Sequence, residues 1–223
     1  MYFAMMGEVI LRKGDSLQGE KSRQLSHTLE KINTRYAEEL AVNFSPWGET
    51  RFQGVFFRAE KLLEALDQLR IFLEPWTFRF GIGIGAMDLR SHAGTEMRAD
   101  GPALWNAEEA LRVLESRNDY GVSKVLIKAD EHEEILRALN ENARLCDFIE
   151  SRWRGTQKTT VDQAILHHGH DLSVKQTELA ELLGISSQAL NQRIKSSGFY
   201  TYLRAKKEMA RLLDEVWGEG ESR

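Results

Sequence analysis

The sequence predicts an α+β protein that ends in a small all-α domain, and three observations carry that prediction. Thr77 to Gly85, TFRFGIGIG, alternates side chains as a β-strand does. Stretches with apolar residues at helical spacing separate the other apolar runs that read as strands. Gln176 to Ser196, QTELAELLGISSQALNQRIKS, reads as two short helices broken at Gly184, a helix-turn-helix.

Tyr2 to Ile10 is a nearly continuous apolar run, as expected of a strand buried on both faces. It passes through Gly7-Glu8 into a charged loop, Arg12, Lys13, Gly14 and Asp15. From Gln18 to Val42, Leu25, Leu29, Ile32, Tyr36 and Leu40 recur at three- and four-residue steps, which predicts an amphipathic helix. Phe44 to Gly48 reads as a turn in which Pro46 holds Ser45 extended, and Arg51 to Phe57 as the next strand. Ala59 to Leu73 predicts a second helix, stopped by Pro75.

In the TFRFGIGIG strand, Phe78, Phe80, Ile82 and Ile84 share one face, while Gly81 and Gly83 bare the other. A bare face implies that a helix or another backbone lies very close. Met87 to Arg98 reads as a polar loop, after which Asp100 as cap and Pro102 in the first turn open a helix that runs to Ser116. Val122 to Ile127 reads as a last strand and Glu131 to Trp153 as one long helix. The resulting expectation is a sheet with helices on one face over residues 1–130, a connector helix over 131–154 and the helix-turn-helix domain over 155–223.

The helix-turn-helix stretch carries the clearest functional signal. Leu179, Ala180, Leu183, Leu190 and Ile194 supply its core, Gly184 can take the left-handed conformation that ends a helix, and Ser186 suits the cap of the second helix. Ser187, Gln188, Asn191, Gln192, Arg193 and Lys195 are left on or near the outer face. Amides bond adenine edges, arginine bonds guanine and lysine reaches phosphate. Lys206 and Lys207, in the amphipathic helix that follows, are expected to hold phosphate as well. A polar helical hairpin without nucleic acid has the same outline, but between Gly184 and Ala205 no acid interrupts the basic, amide-rich face.

A net charge of −4 argues against a protein that coats nucleic acid by bulk electrostatics, and a local basic face on an acidic chain suits a sequence reader better. No apolar run is long enough to span a membrane and no leader pattern stands at Met1, so the expectation is a cytoplasmic protein with no membrane partner. Cys146 is a lone cysteine on an apolar helical stripe, which suits a buried thiol. His167, His168 and His170 stand where Gly169 would end a helix, and capping explains them better than a metal does. Trp47, Trp76 and Trp105 read as core or edge residues. Leu203, Met209, Leu212, Leu213, Val216 and Trp217 form an apolar stripe with enough surplus to complete a small domain or to make a homodimer contact.

The strand ending in Gly7-Glu8, the turn Trp47-Gly48-Glu49-Thr50-Arg51-Phe52, the strand FRFGIGIG and the helix ADGPALWNAEEAL resemble the ferredoxin-like catalytic domain of nucleotide cyclases. With the C-terminal helix-turn-helix included, nearly the whole chain resembles the SatD family of bacterial proteins, whose pattern is kept at Phe52-Gln53-Gly54, Gly81 to Gly85 and Ala99 to Ala107. The resemblance implies a site for Mg²⁺ and a nucleotide built from carboxylates at the end of the first strand and in the hairpin turn. This chain departs from the pattern there, with Glu8 and Glu49 in place of Asp and Thr50 in place of Glu. Glutamate's extra methylene and the missing third carboxylate suit a near-octahedral Mg²⁺ poorly, so catalysis is not expected.

Two functions are therefore expected in order. The first is a transcriptional regulator that binds double-stranded DNA, with a degenerate cyclase-like domain that serves as scaffold or senses a small-molecule or nucleotide effector. The second is a Mg²⁺-nucleotide protein that uses Glu8 and Glu49, with the C-terminal module as an interaction domain.

Overall fold

The computed structural model describes residues 1–11, 19–89, 99–116 and 123–218. Along the chain the elements are β1 (Tyr2–Val9), α1 (Glu20–Arg35), β2 (Leu40–Trp47), β3 (Arg51–Phe56), α2 (Leu62–Phe72), β4 (Phe78–Gly85), α3 (Pro102–Ser116), β5 (Val125–Lys128), α4 (Glu133–Arg152), α5 (Thr156–His168), α6 (Gln176–Leu183), α7 (Ser187–Ser197) and α8 (Phe199–Trp217). The charged loop at 12–15, most of the loop expected after Met87, and the first residue of the expected strand at Val122 lie outside the described residues.

The strands form one sheet in the order β2-β3-β1-β4-β5. β1 runs antiparallel to both β3 and β4, β2 antiparallel to β3, and β4 parallel to β5. β1 is central, and its interior is buried on both faces as its continuous apolar run requires.

Helices cover both faces of this sheet, not one. Phe3, Met5, Phe52, Phe56, Phe80 and Ile82 pack with α1, α2, α4 and the C-terminal half of α8. On the opposite face Ala4, Met6 and Val55 meet Ala103, Leu104, Ala107 and Leu111 of α3. The glycines of β4 admit α3: a Cβ at Gly81 would stand 2.1 Å from the Ala107 carbonyl oxygen, and one at Gly83 2.0 Å from that of Ala103. The close-approaching element expected from the bare face is therefore the helix that the one-face arrangement had placed on the other side.

α1 stops at Arg35, and residues expected in its last turns belong to β2. Tyr36 is buried beside α1 while Leu40 pairs across to Phe56, so one spacing hid two elements. Pro46 sits within β2 without cost to the ladder because β2 is an edge strand. Both sheet edges are closed by an asparagine. Asn33 donates to the Phe44 carbonyl at 2.9 Å and accepts from its N–H at 2.6 Å. Asn140 does the same for Ile127 at 2.9 and 2.7 Å. Each amide stands in for a neighbouring strand at an otherwise unpaired position.

A second core joins Cys146 and Trp153 of α4 and its end to Val161, Ile165, Leu179, Leu190, Ile194, Phe199 and Tyr202. The helix expected as a connector thus contributes to both cores, as does α8, whose Met209, Leu213 and Trp217 pack with the sheet. Of the apolar stripe of α8, Leu203, Met209, Leu213 and Trp217 are buried within the chain, and Leu212 and Val216 are half-buried against the sheet core. No helix of the described residues is long and apolar enough to cross a membrane.

Candidate nucleic-acid interface

α6 and α7 are joined by a short turn whose every residue has a local physical role. Gly184 adopts φ 62°, ψ 34°, the left-handed conformation that closes α6, and its N–H returns to the carbonyl of Glu181. The Ile185 amide then donates to Ala180 O at 3.0 Å. Ser186 caps α7, its hydroxyl accepting from the Ala189 N–H at 3.2 Å. Leu190 and Ile194 anchor α7 against α5 and the start of α8, and Gly198, again left-handed at φ 67°, separates α7 from α8.

With Leu190 and Ile194 turned inward, the opposite side of α7 is displayed. Ser187, Gln188, Asn191, Gln192 and Lys195 are exposed and Arg193 is half-buried. Among the described residues no ion pair engages Arg193 or Lys195, and Lys207 on α8 is also exposed. The outer face is chemically what the sequence suggested: amides flanked by cations, with no carboxylate of its own helix to neutralise them.

Lys206 is different and corrects the expectation that it holds phosphate. It is 2% exposed, and its ammonium lies 2.9 Å from Oδ1 of Asp67 in the middle of α2. Asp67 also accepts from the Tyr202 hydroxyl at 3.0 Å and meets His170 Nε2 at 2.9 Å. Burial alone would favour the neutral acid at Asp67, but Lys206, His170 and Arg70 outweigh it and hold the carboxyl well below its ordinary range. The same seam continues through Arg70, which reaches Asp67 at 3.7 Å, Asp147 at 3.6 Å and Glu150 of α4. Asp147 accepts from the N–H groups of Lys124 and Val125 at 2.7 and 3.1 Å, yet burial outweighs these partners and pushes its carboxyl up. α2 is buried on all sides, and these polar residues are its side toward α4, α5 and α8.

Sequence reasoning missed this seam because its partners are far apart in the chain. One local signal was present. On α8 Lys206 falls in the stripe Phe199, Tyr202, Leu203, Met209, Ala210, Leu213, a core position filled by a lysine, whereas Lys207 lies off it.

The carboxylates that the cyclase resemblance singled out are also placed by the sheet. Glu8 faces Arg51 across the β1–β3 register, with Arg51 Nε 2.7 Å from Oε1, and Arg79 on the other flank stands 3.7 Å from Oε2. Two guanidiniums therefore occupy the carboxylate that a cation would need. Glu49 is exposed in the hairpin turn. Among the described residues no group of three His, Cys, Asp or Glu side chains is arranged to hold a metal ion.

Of the histidines, His168 ends α5 and Gly169 closes it at φ 60°, as the capping reading expected, while His170 turns inward to Asp67. Cys146 is buried, and desolvation pushes its thiol up to about 11, so it is not a reactive thiolate. Trp105 is 60% exposed although its ring N–H is held by Asp100 at 2.8 Å, and Trp47 is exposed at the sheet edge beside Arg51.

Comparison with curated proteins and with solved structures gave no match. A family model does match, along residues 2–213, which takes in the sheet, the buried seam and the α6–α7 pair together, and on that ground the chain belongs to the SatD family.

Proposed function

We propose that α6 and α7 form a helix-turn-helix that reads double-stranded DNA, and that the chain is a transcriptional regulator. The observation that carries this reading is the outer face of α7, where Ser187, Gln188, Asn191, Gln192 and Lys195 are displayed from a helix fixed at both ends. Gln188, Asn191 and Gln192 face bases, Arg193 and Lys195 hold phosphate, and Lys207 adds a phosphate contact from α8. Lys206 has no part in the contact and orients α8 against α2.

The sheet domain is a ferredoxin-like, cyclase-type fold used as scaffold and sensor. The alternating directions of β2, β3, β1 and β4, with β5 added parallel to β4, support that reading. The Mg²⁺-nucleotide alternative is not favoured, because Arg51 and Arg79 already neutralise Glu8.

The test is selection from a pool of randomised duplexes by the full chain, repeated with Asn191→Ala. A recurring sequence should be enriched, and Asn191→Ala should lower discrimination by about 1–3 kcal/mol at the position it reads while leaving weak general binding. Failure to enrich any sequence at low salt would overturn the reading.

A further inference from the structure

A cleft of about 730 Å³ lies between the start of α2, the α5–α6 connection and the outer side of α8. Small-molecule sites occupy about 300–1,000 Å³, so this space is of ligand size. None of the DNA-reading residues of α7 lines it, and of the proposed DNA contacts it shares Lys207 of α8.

Its chemistry is uneven. Glu60 and Glu64 contribute carboxylates from the α2 side, Glu208, Asp214 and Glu215 from α8, and Asp171 from the connection, against Lys61, Lys207 and Arg211. Most of these acids are fixed in position. Glu64 accepts from the Tyr36 hydroxyl, the Lys61 ammonium and the His170 N–H, and Asp214 accepts from the Ala59 N–H at 2.6 Å. Arg211 is taken up between Glu208 and Glu215. Lys61 is thus paired with Glu64, and Arg211 with Glu208 and Glu215, which leaves a net excess of six carboxylates over three cations and Glu60 with no ion-pair partner among the described residues. His168, which also lines the space, has its ring Nε2 shut off from solvent with no hydrogen-bond partner among the described residues. A buried nitrogen in that state gains a bond if a donor arrives and the ring turns to it.

We propose that this cleft binds a small organic cation with two or more ammonium groups. Carboxylates on both the α2 and the α8 wall favour a ligand charged at both ends over a monoamine. The excess of carboxylates disfavours an anion. A bare metal ion is a poorer occupant, because no three ligating side chains among the described residues converge. The occupant would bridge α2 and α8, and α8 follows α7 directly through Gly198. Any control this exerts on DNA rests on the reading above; binding itself does not.

The test is calorimetry and hydrogen exchange on the full chain without DNA, using 1,4-diaminobutane as probe. Sodium chloride at equal ionic strength, 1-aminobutane and pyrophosphate serve as comparisons. Saturable binding of the diamine is expected, with slower exchange at residues 60–64 and 207–215 and affinity about tenfold above that of 1-aminobutane. The double variant Glu60→Gln/Glu215→Gln should lose about tenfold in affinity, and Lys207→Trp, which fills the cleft from an exposed position, should abolish binding. Absence of saturable diamine binding, an equal response to sodium chloride, tighter binding of pyrophosphate, or wild-type affinity in the double variant would overturn the proposal. A failed DNA selection would leave this result untouched.

Discussion

Lys195 and Lys206 carry the same charge on neighbouring helices and have opposite fates. Lys195 stands in solvent on the last turn of α7. Lys206 is enclosed on α8, with Asp67 as its counter-ion and Tyr202 beside it. Both belong to the one basic stretch of an acidic chain. What separates them is helix register: Leu190 and Ile194 in the second core turn Lys195 outward, while Leu203 in that same core and Met209 and Ala210 in the sheet core carry Lys206 inward. A cluster of cations in sequence is therefore two populations in space, one free to meet a ligand and one already satisfied by the fold.

The largest effect that can test this contrast is on stability. Lys206→Ala leaves Asp67 charged and buried with its nearest cation gone, and should cost about 3–5 kcal/mol in urea unfolding. A cost below about 1 kcal/mol would mean that the pair is solvated and the contrast is weaker than drawn. Next in size, Ser186→Ala removes the cap that fixes the start of α7 and should cost about 0.5–2 kcal/mol, read from the same unfolding curves. Lys195→Ala should lie within about 0.5 kcal/mol of wild type, because an exposed surface cation supports no packing. On DNA the order reverses: Lys195→Ala should weaken all sequences alike and lower the salt slope by about 1.

Acid sharpens the contrast within the seam itself. Asp67 titrates below its ordinary range when folded, so its stabilisation is complete above about pH 4, where the unfolded carboxyl is ionised, and fades as pH drops toward the folded value. Asp147, whose carboxyl is raised by burial, acts the other way: folding gains from its protonation below the unfolded value and loses that gain as pH rises through the folded one. Unfolding midpoints between pH 5 and pH 3 should therefore fall more steeply in Asp147→Asn than in wild type, and more gently in Asp67→Asn.

Much of this architecture was legible in the chain, and the failures have physical causes. The bare face of β4 correctly announced a close helix, since only glycine lets the α3 backbone approach Gly81 and Gly83 so nearly. The α6–α7 turn was readable because Gly184 and Ser186 do local work that any such turn needs. β2 was hidden because Tyr36 and Leu40 stand four apart and satisfy a helical spacing, although Tyr36 lies beside α1 and Leu40 begins a strand. Lys206 was misplaced because its partner, Asp67, is remote in sequence, and the pairing of Glu8 with Arg51 depends on a strand register that no local pattern reveals. Local chemistry was readable; satisfaction by distant partners was not.

The most direct test of the two-population account is lysine labelling. The full chain would be acetylated briefly, with and without a duplex recovered by the selection above, and modification at Lys195 and Lys206 read by mass spectrometry. The account predicts that Lys195 labels readily and is protected by DNA, while Lys206 stays unlabelled in both states. Ready labelling of Lys206 that DNA suppresses, or labelling of Lys195 that DNA leaves unchanged, would contradict it.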